Sequence, residues 1–254
     1  IYKFLMIIIE KKIIFIHPGK SGGTTIEKHL NNFFEYQNIG KRNLSENNQY
    51  KRTHASLSEI SLFIDINDYF KFTIVRNPIS RLWSLYNFSF KNKKKLDPIY
   101  ASKYSINNEP DIDLFLKLIN DKHELWKKIK NNFINLTTVE FDMLITYGNI
   151  DKLDTDIIND IKDYKKNWLK SQYSQNLDKN NFFNIDKIIK LENFDNDFKF
   201  IIRKYNLKNN IKKHQVNQNE EYQNFDIFNI DIKFKKMIYK MFELDFIKFD
   251  YQFR

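Results

Sequence analysis

The sequence predicts an α/β fold, with a central parallel sheet flanked by helices in three layers. Three observations carry this expectation. A buried strand runs into a glycine-rich turn and then a helix near the N-terminus. A second strand–turn–helix unit follows it, and a third short apolar run, late in the chain, precedes an amphipathic helix. Strands alternating with helices build parallel sheets, because each crossover lays its helix on the sheet's face. The strand–loop–helix start makes the expected architecture P-loop-like.

The first strand is residues 12–17 (KIIFIH), β-branched and aromatic up to a turn signal. Residues 18–24 (PGKSGGT) form the turn. Residues 25–34 (TIEKHLNNFF) form a helix, with Ile26, His29, Leu30 and Phe33 on one face. The polar residues 38–51 read as a surface loop. The second strand is residues 70–75 (FKFTIV). Arg76, Asn77 and Pro78 turn the chain, and residues 79–90 make a helix that Pro78 is suited to start. Residues 111–119 and 155–168 look helical. Residues 186–191 (DKIIKL) make the third strand, and residues 195–205 and 231–244 are further helices. Residues 246–253 alternate apolar and polar. No internal repeat and no Pro/Gly/Ser linker is visible, so residues 1–254 read as a single domain.

Composition narrows the function classes. The 254 residues hold no cysteine, which excludes disulfides, thiolate metal sites and thiol nucleophiles. A 42% hydrophobic and 16% aromatic content excludes a disordered chain. The apolar run over residues 1–9 is cut short by Glu10, Lys11 and Lys12, far below the roughly 20 residues of a membrane span. No small-residue cleavage site follows it. The expectation is a soluble, cytoplasmic protein whose start is trimmed or begins at Met6. A net charge of +10 points to an anionic partner. Many of the lysines suit plain solvated surface, and so does the dense run of Lys91, Lys93, Lys94 and Lys95.

Glycine is the informative residue. Average usage of about 7% would give roughly 18 glycines, whereas the chain has 5, and Gly19, Gly22 and Gly23 share one five-residue window. Glycines at a strand-to-helix turn let the backbone approach an anion closely, and the helix dipole adds partial positive charge. Lys20 supplies a full charge there, and Ser21, Thr24 and Thr25 supply hydroxyls. A triphosphate-binding loop needs G-x-x-x-x-G-K-[ST]. Gly19, Lys20 and Ser21 match its second half, but its first glycine falls on Ile14, inside the strand. In the second unit Arg76 ends a strand, and Ser80 and Ser84 share a face of the following helix. Arg76 and Ser84 are therefore candidates for a second, separate phosphate.

These two stretches resemble a known family. FIHPGKSGGTTI is similar to the 5′-phosphosulfate loop of sulfotransferases that use 3′-phosphoadenosine 5′-phosphosulfate (PAPS), usually close to FIHIPKTGGTSI. TIVRNPISRLWSLY resembles their 3′-phosphate motif, with Arg76 and Ser84 in the Arg and Ser places. The carbohydrate-type branch, with Golgi enzymes and bacterial relatives, looks most similar. THASLSEI resembles its KHATAREI-like segment, IIKLENFDNDF its RFENLEEDF-like segment, and DFIKFDYQF its D-x-x-x-F-x-Y-x-F terminus. Proline normally precedes the loop lysine directly. Here Pro18 stands one place early and Gly19 takes its position, with Lys20 still in register.

The resemblance implies in-line transfer of a sulfuryl group from PAPS to an acceptor hydroxyl, with 3′,5′-ADP leaving and no metal required. Lys20 is then catalytic, neutralising charge on the bridging oxygen. Lys20, Ser21, Gly22, Gly23, Thr24 and Thr25 bind the 5′-phosphosulfate, and Arg76 and Ser84 the 3′-phosphate. Of the five histidines, His54 in THASLSEI takes the family's catalytic-base place, with Glu59 as a weaker alternative. His17 and His29 read as structural, and His123 and His214 lie in no motif. Gln172 falls in a region the family often uses near the acceptor, too loosely matched for a role. The implied partner is a small-molecule or glycan acceptor, with no nucleic acid and no membrane span. Two other readings stand beside this one: a P-loop kinase-like phosphotransferase, and a non-enzymatic basic module that binds polyanions.

Overall fold

The structure is a computed structural model that describes residues 7–8, 11–33, 55–62, 64–91, 112–147, 150, 153–165, 170–206 and 227–253. The chain forms two compact units, each from two separate stretches: Ile1–Arg76 with Gln175–Glu221, and Asn77–Ser174 with Tyr222–Arg254.

The first unit holds the sheet, in the order β1 (Ile7–Ile8), β2 (Ile13–Ile16), β3 (Phe70–Val75), β4 (Lys187–Lys190). β1 pairs antiparallel with β2 through a turn at Lys11 and Lys12, whereas β2, β3 and β4 are parallel. The α/β class and the parallel sheet flanked by helices are thus as the sequence predicts, with β1 added at the edge. Every residue of β2 is at most 1% exposed, so both faces of this strand are covered. Helix α1 (Gly23–Phe33) contributes Ile26 and Leu30 to that cover, α2 (Leu57–Ser61) contributes Leu57 and Ile60, and α8 (Phe194–Lys204) contributes Phe198 and Ile201. Within the sheet, Phe15 stacks on Phe72 with ring centroids 4.9 Å apart.

Polar groups fix the strand ends. Lys71 is 4% exposed, and its ammonium donates to the Tyr69 carbonyl at 2.8 Å and the Ile66 carbonyl at 3.3 Å. Asp186, just before β4, accepts from the Lys71 backbone N–H at 2.7 Å. At the other end, the Thr73 hydroxyl donates to the Ile16 carbonyl at 3.1 Å, tying β3 to the last residue of β2.

The second unit is helical among its described residues: α3 (Pro78–Lys91), α4 (Ile112–Asn131), α5 (Thr138–Tyr147), α6 (Thr155–Lys165), α9 (Ile232–Met241) and α10 (Glu243–Lys248). The short α7 (Gln172–Gln175) returns the chain to the first unit. The core is built from Ile79, Leu82, Phe115, Ile119, Phe141, Ile161, Ile238 and Phe246. Lys122 on α4 is buried and donates to the Asp163 and Tyr164 carbonyls at 2.6 and 3.2 Å, which satisfies the last turn of α6.

Several expectations change in detail. Helix α4 runs on to Asn131 rather than ending near residue 119, and α5 is an element the sequence pattern does not announce. The helix expected over 231–244 stops at Met241. Phe242 adopts φ −129°, ψ 30° before α10 begins, and α10 takes in the start of the alternating C-terminal stretch. The loop at 38–51, the basic residues Lys93, Lys94 and Lys95, and His214 lie outside the described residues.

Candidate functional site

In the first unit, three parallel strand ends meet at the glycine loop. β2 delivers the loop itself, residues 17–22. Beyond β3, Arg76 comes near enough to Lys20 to act on its charge, and beyond β4, Leu191 packs on Gly22. The carboxyl ends of parallel strands are where α/β sheets bind ligands.

Local chemistry dictates the loop's shape. Gly22 has φ +88°, which side chains rarely adopt, and a Cβ built there would sit 2.6 Å from Leu191 Cδ1. At Gly23 the constraint is steric: a Cβ would lie 2.0–2.3 Å from three ring atoms of His17. Lys20 itself has φ +65°, a left-handed conformation with no glycine to ease it.

The loop's hydrogen bonds separate its amides into two sets. The Ser21 N–H donates to the Pro18 carbonyl at 3.3 Å, and the Thr25 N–H to the Gly22 carbonyl at 3.1 Å. The N–H groups of Gly22, Gly23 and Thr24 meet no acceptor among the described residues, as expected at the start of a helix. Ser21 is fully buried and Thr24 is exposed. The loop therefore turns one hydroxyl inward to shape itself and leaves three consecutive amides for an anion.

The electrostatics point the same way. Partial burial, and then the guanidinium of Arg76, lower the Lys20 ammonium from 10.5 to about 8. Two cations brought together at neighbouring strand ends make a local positive potential that favours an anion. Ile14, where a triphosphate loop needs its first glycine, is fully buried within β2.

Of the expected site residues, the structure brings together Lys20, Ser21, Gly22, Gly23, Thr24, Thr25 and Arg76. Ser84 is half-buried on α3 in the second unit, which starts where Asn77 Oδ1 accepts from the Ile79 N–H at 2.9 Å. His54 lies outside the described residues, two positions before Ser56, which caps α2. Glu59, the alternative base, accepts from the Ser56 N–H at 2.9 Å and the Ser56 hydroxyl at 3.2 Å, completing that capping box. His17 is buried, with Nδ1 2.9 Å from Glu27 Oε1 on α1.

Sequence reasoning missed a second polar centre, in the second unit. Asp245 on α10 is fully buried and accepts from the Ser171 hydroxyl (2.8 Å) and from the Gln172 and Tyr173 N–H groups (3.0 and 2.8 Å). The Gln172 side-chain amide donates to it at 3.3 Å. Buried Arg81 stands 3.8 Å from it and donates to the Lys170 carbonyl at 2.9 Å. Asp142 on α5 is buried close by. Desolvation, followed by the charge of Asp245, pushes its carboxyl up to about 7 against the pull of Ser171 and Ser174. The C-terminal motif's Asp and the loosely matched Gln172 are the signals of this centre in the sequence. Among the described residues no group of three His, Asp or Glu side chains is arranged to hold a metal, and no helix is long and apolar enough to cross a membrane.

The sulfotransferase family's sequence profile matches residues 5–252, and the chain belongs to that family. No curated protein and no solved structure gives a match.

Proposed function

We propose that the chain transfers a sulfuryl group from PAPS to a hydroxyl of a carbohydrate acceptor, using residues 1–254 as one P-loop-like catalytic domain. The observation that carries this reading is the meeting of Lys20 and Arg76 at adjacent parallel strand ends, beside three amides that meet no acceptor among the described residues. PAPS bears a 5′-phosphosulfate and a 3′-phosphate, so it needs two anion sites rather than one. The cradle fits it: glycine at 22 and 23 keeps side chains out of the loop, and Lys20 adds a full charge. Family membership supports sulfuryl transfer in general.

In this reading PAPS supplies the sulfuryl group. The Gly22, Gly23 and Thr24 amides and the Thr24 and Thr25 hydroxyls bind the 5′-phosphosulfate, and Ser21 holds the loop's shape from within. Lys20 neutralises charge on the bridging oxygen as the sulfur–oxygen bond breaks. Arg76 and Ser84 take the 3′-phosphate. His54 accepts the acceptor hydroxyl's proton while that oxygen bonds to sulfur, and 3′,5′-ADP leaves with the electron pair of the broken bond. Glu59 is disfavoured as base by its two bonds to Ser56.

Isothermal titration with 3′,5′-ADP and 5′-AMP tests the assignment: 3′,5′-ADP binds more tightly, and equal affinities would overturn the 3′-phosphate site. His54→Ala abolishes turnover and leaves 3′,5′-ADP affinity within about twofold, a change worth roughly 0.4 kcal/mol. Full activity in that variant would remove His54 as the base.

A further inference from the structure

His17 is the last residue before the donor loop, and three neighbours fix its ring. The side chain is 5% exposed. Nδ1 lies 2.9 Å from Glu27 Oε1, one turn into α1, and that carboxylate is itself only 19% exposed. Phe15 stacks on the ring, with centroids 5.8 Å apart and planes inclined by 14°. Gly23 completes the enclosure: a Cβ there would be 2.0 Å from Cδ2 and 2.3 Å from Cγ and Nε2. An aliphatic side chain would fill this space equally well in volume. What imidazole adds is a ring whose plane is held at one edge by a carboxylate, so that the backbone resting against it has one seat.

The backbone resting there is the start of α1. Gly23 supplies the middle N–H of the three that meet no acceptor among the described residues. The two glycines thus have different causes: Gly22 answers to its φ of +88°, and Gly23 to the imidazole. Glu27 stands four residues after Gly23, so the helix that begins at the loop also holds the ring that supports the loop.

We propose that His17 is the positioning residue of the donor loop: braced by Glu27, its ring seats Gly23 and thereby sets the direction of the Gly22, Gly23 and Thr24 amides toward the 5′-phosphosulfate. The proposal rests on the PAPS reading above. It assigns His17 no contact with the donor and no proton to move.

The test compares 3′,5′-ADP with adenosine 3′-monophosphate, which keeps the nucleoside and 3′-phosphate but lacks the 5′-phosphate. In the wild-type protein 3′,5′-ADP binds more tightly, and the ratio of affinities measures the loop. In His17→Ala that ratio falls about tenfold, a change of about 1.4 kcal/mol, while adenosine 3′-monophosphate affinity stays within about twofold. Glu27→Ala, which keeps the imidazole but removes its brace, lowers the ratio in the same direction by less. Glu27→Gln, which keeps an oxygen acceptor for the ring, restores most of it. A role in stability alone would weaken both ligands together. Equal loss for both, or an unchanged ratio in His17→Ala and Glu27→Ala alike, would overturn the positioning role. A wild-type protein that binds the two ligands equally would instead overturn the donor reading, and the inference with it.

Discussion

The donor loop and the Asp245 centre use polar groups in opposite ways. In the loop, three backbone amides meet no acceptor among the described residues, beside a partly buried lysine, and glycines and a positive φ shape the turn. At Asp245, one carboxylate takes up four N–H or O–H donors and lies near an arginine, all buried. The first arrangement suits an arriving anion; in the second the Asp245 carboxylate is already met by its donors. Strain and unmet donors thus mark the place where chemistry is expected, while satisfied burial marks where the fold is held.

The largest expected effect comes from breaking the complete centre. Asp245→Ala strands buried donors from Ser171, Gln172 and Tyr173 and leaves Arg81 without its carboxylate. It is expected to cost about 3–5 kcal/mol, read as a lowered urea midpoint. A midpoint within error of wild type would show that this centre does not hold the second unit.

The converse change, in the loop, removes binding and spares stability. Lys20→Ala and Lys20→Gly each weaken 3′,5′-ADP binding by about ten- to a hundredfold, the loss of one charge-assisted contact. Because Lys20 sits at φ +65°, Lys20→Gly also relieves strain on the order of 1 kcal/mol and melts above Lys20→Ala. The reverse order of melting temperatures would mean that the left-handed lysine stores no strain. The wild-type Lys20 side chain, with its pKa lowered to about 8, is mostly neutral amine at pH 8.5 and takes up a fraction of a proton when an anion binds. Titrations in two buffers of different ionisation enthalpy read that proton directly.

A third comparison separates the two regions by pH. Asp142 is raised from 3.8 to about 7 in the folded protein, so between these values the native state holds a proton that the unfolded chain has released. Its contribution to stability is full below about pH 4, declines as pH rises, and is gone above about pH 7. Asp142→Asn should therefore flatten the fall in urea midpoint between pH 5 and pH 7.5. Identical pH dependence in both proteins would sink the assignment.

The same contrast explains what the sequence reveals. The loop is legible because its physics is local: rare glycines, one lysine and three hydroxyls occupy a few consecutive positions, and Ile14 rules out the triphosphate pattern. Arg76 is legible because it ends an obvious strand. The Asp245 centre draws on Arg81, Asp142, Ser171 and Gln172, which nothing in local spacing connects. Helix α5 escapes notice because TVEFDMLITY carries apolar residues around most of its circumference, leaving no 3.6-residue stripe. Helix α4 outruns its expected end because Lys122, polar in sequence, is buried against the end of α6. Glu27 looks like an ordinary helix-surface charge until His17 is found beside it.

One last consequence lies in the order in which the sheet is completed. Asp186 bonds to Lys71 across 115 residues of chain, and β4 pairs with β3 over the same interval. During synthesis, β2 and β3 leave the ribosome with an edge unpaired and their apolar faces uncovered by α8. At about 5–20 residues per second, they wait roughly 6 to 23 seconds for their third strand. A nascent chain stalled before β4 therefore presents an open, sticky sheet, and helper proteins that shield strand edges would govern the yield of this enzyme more than its final stability does.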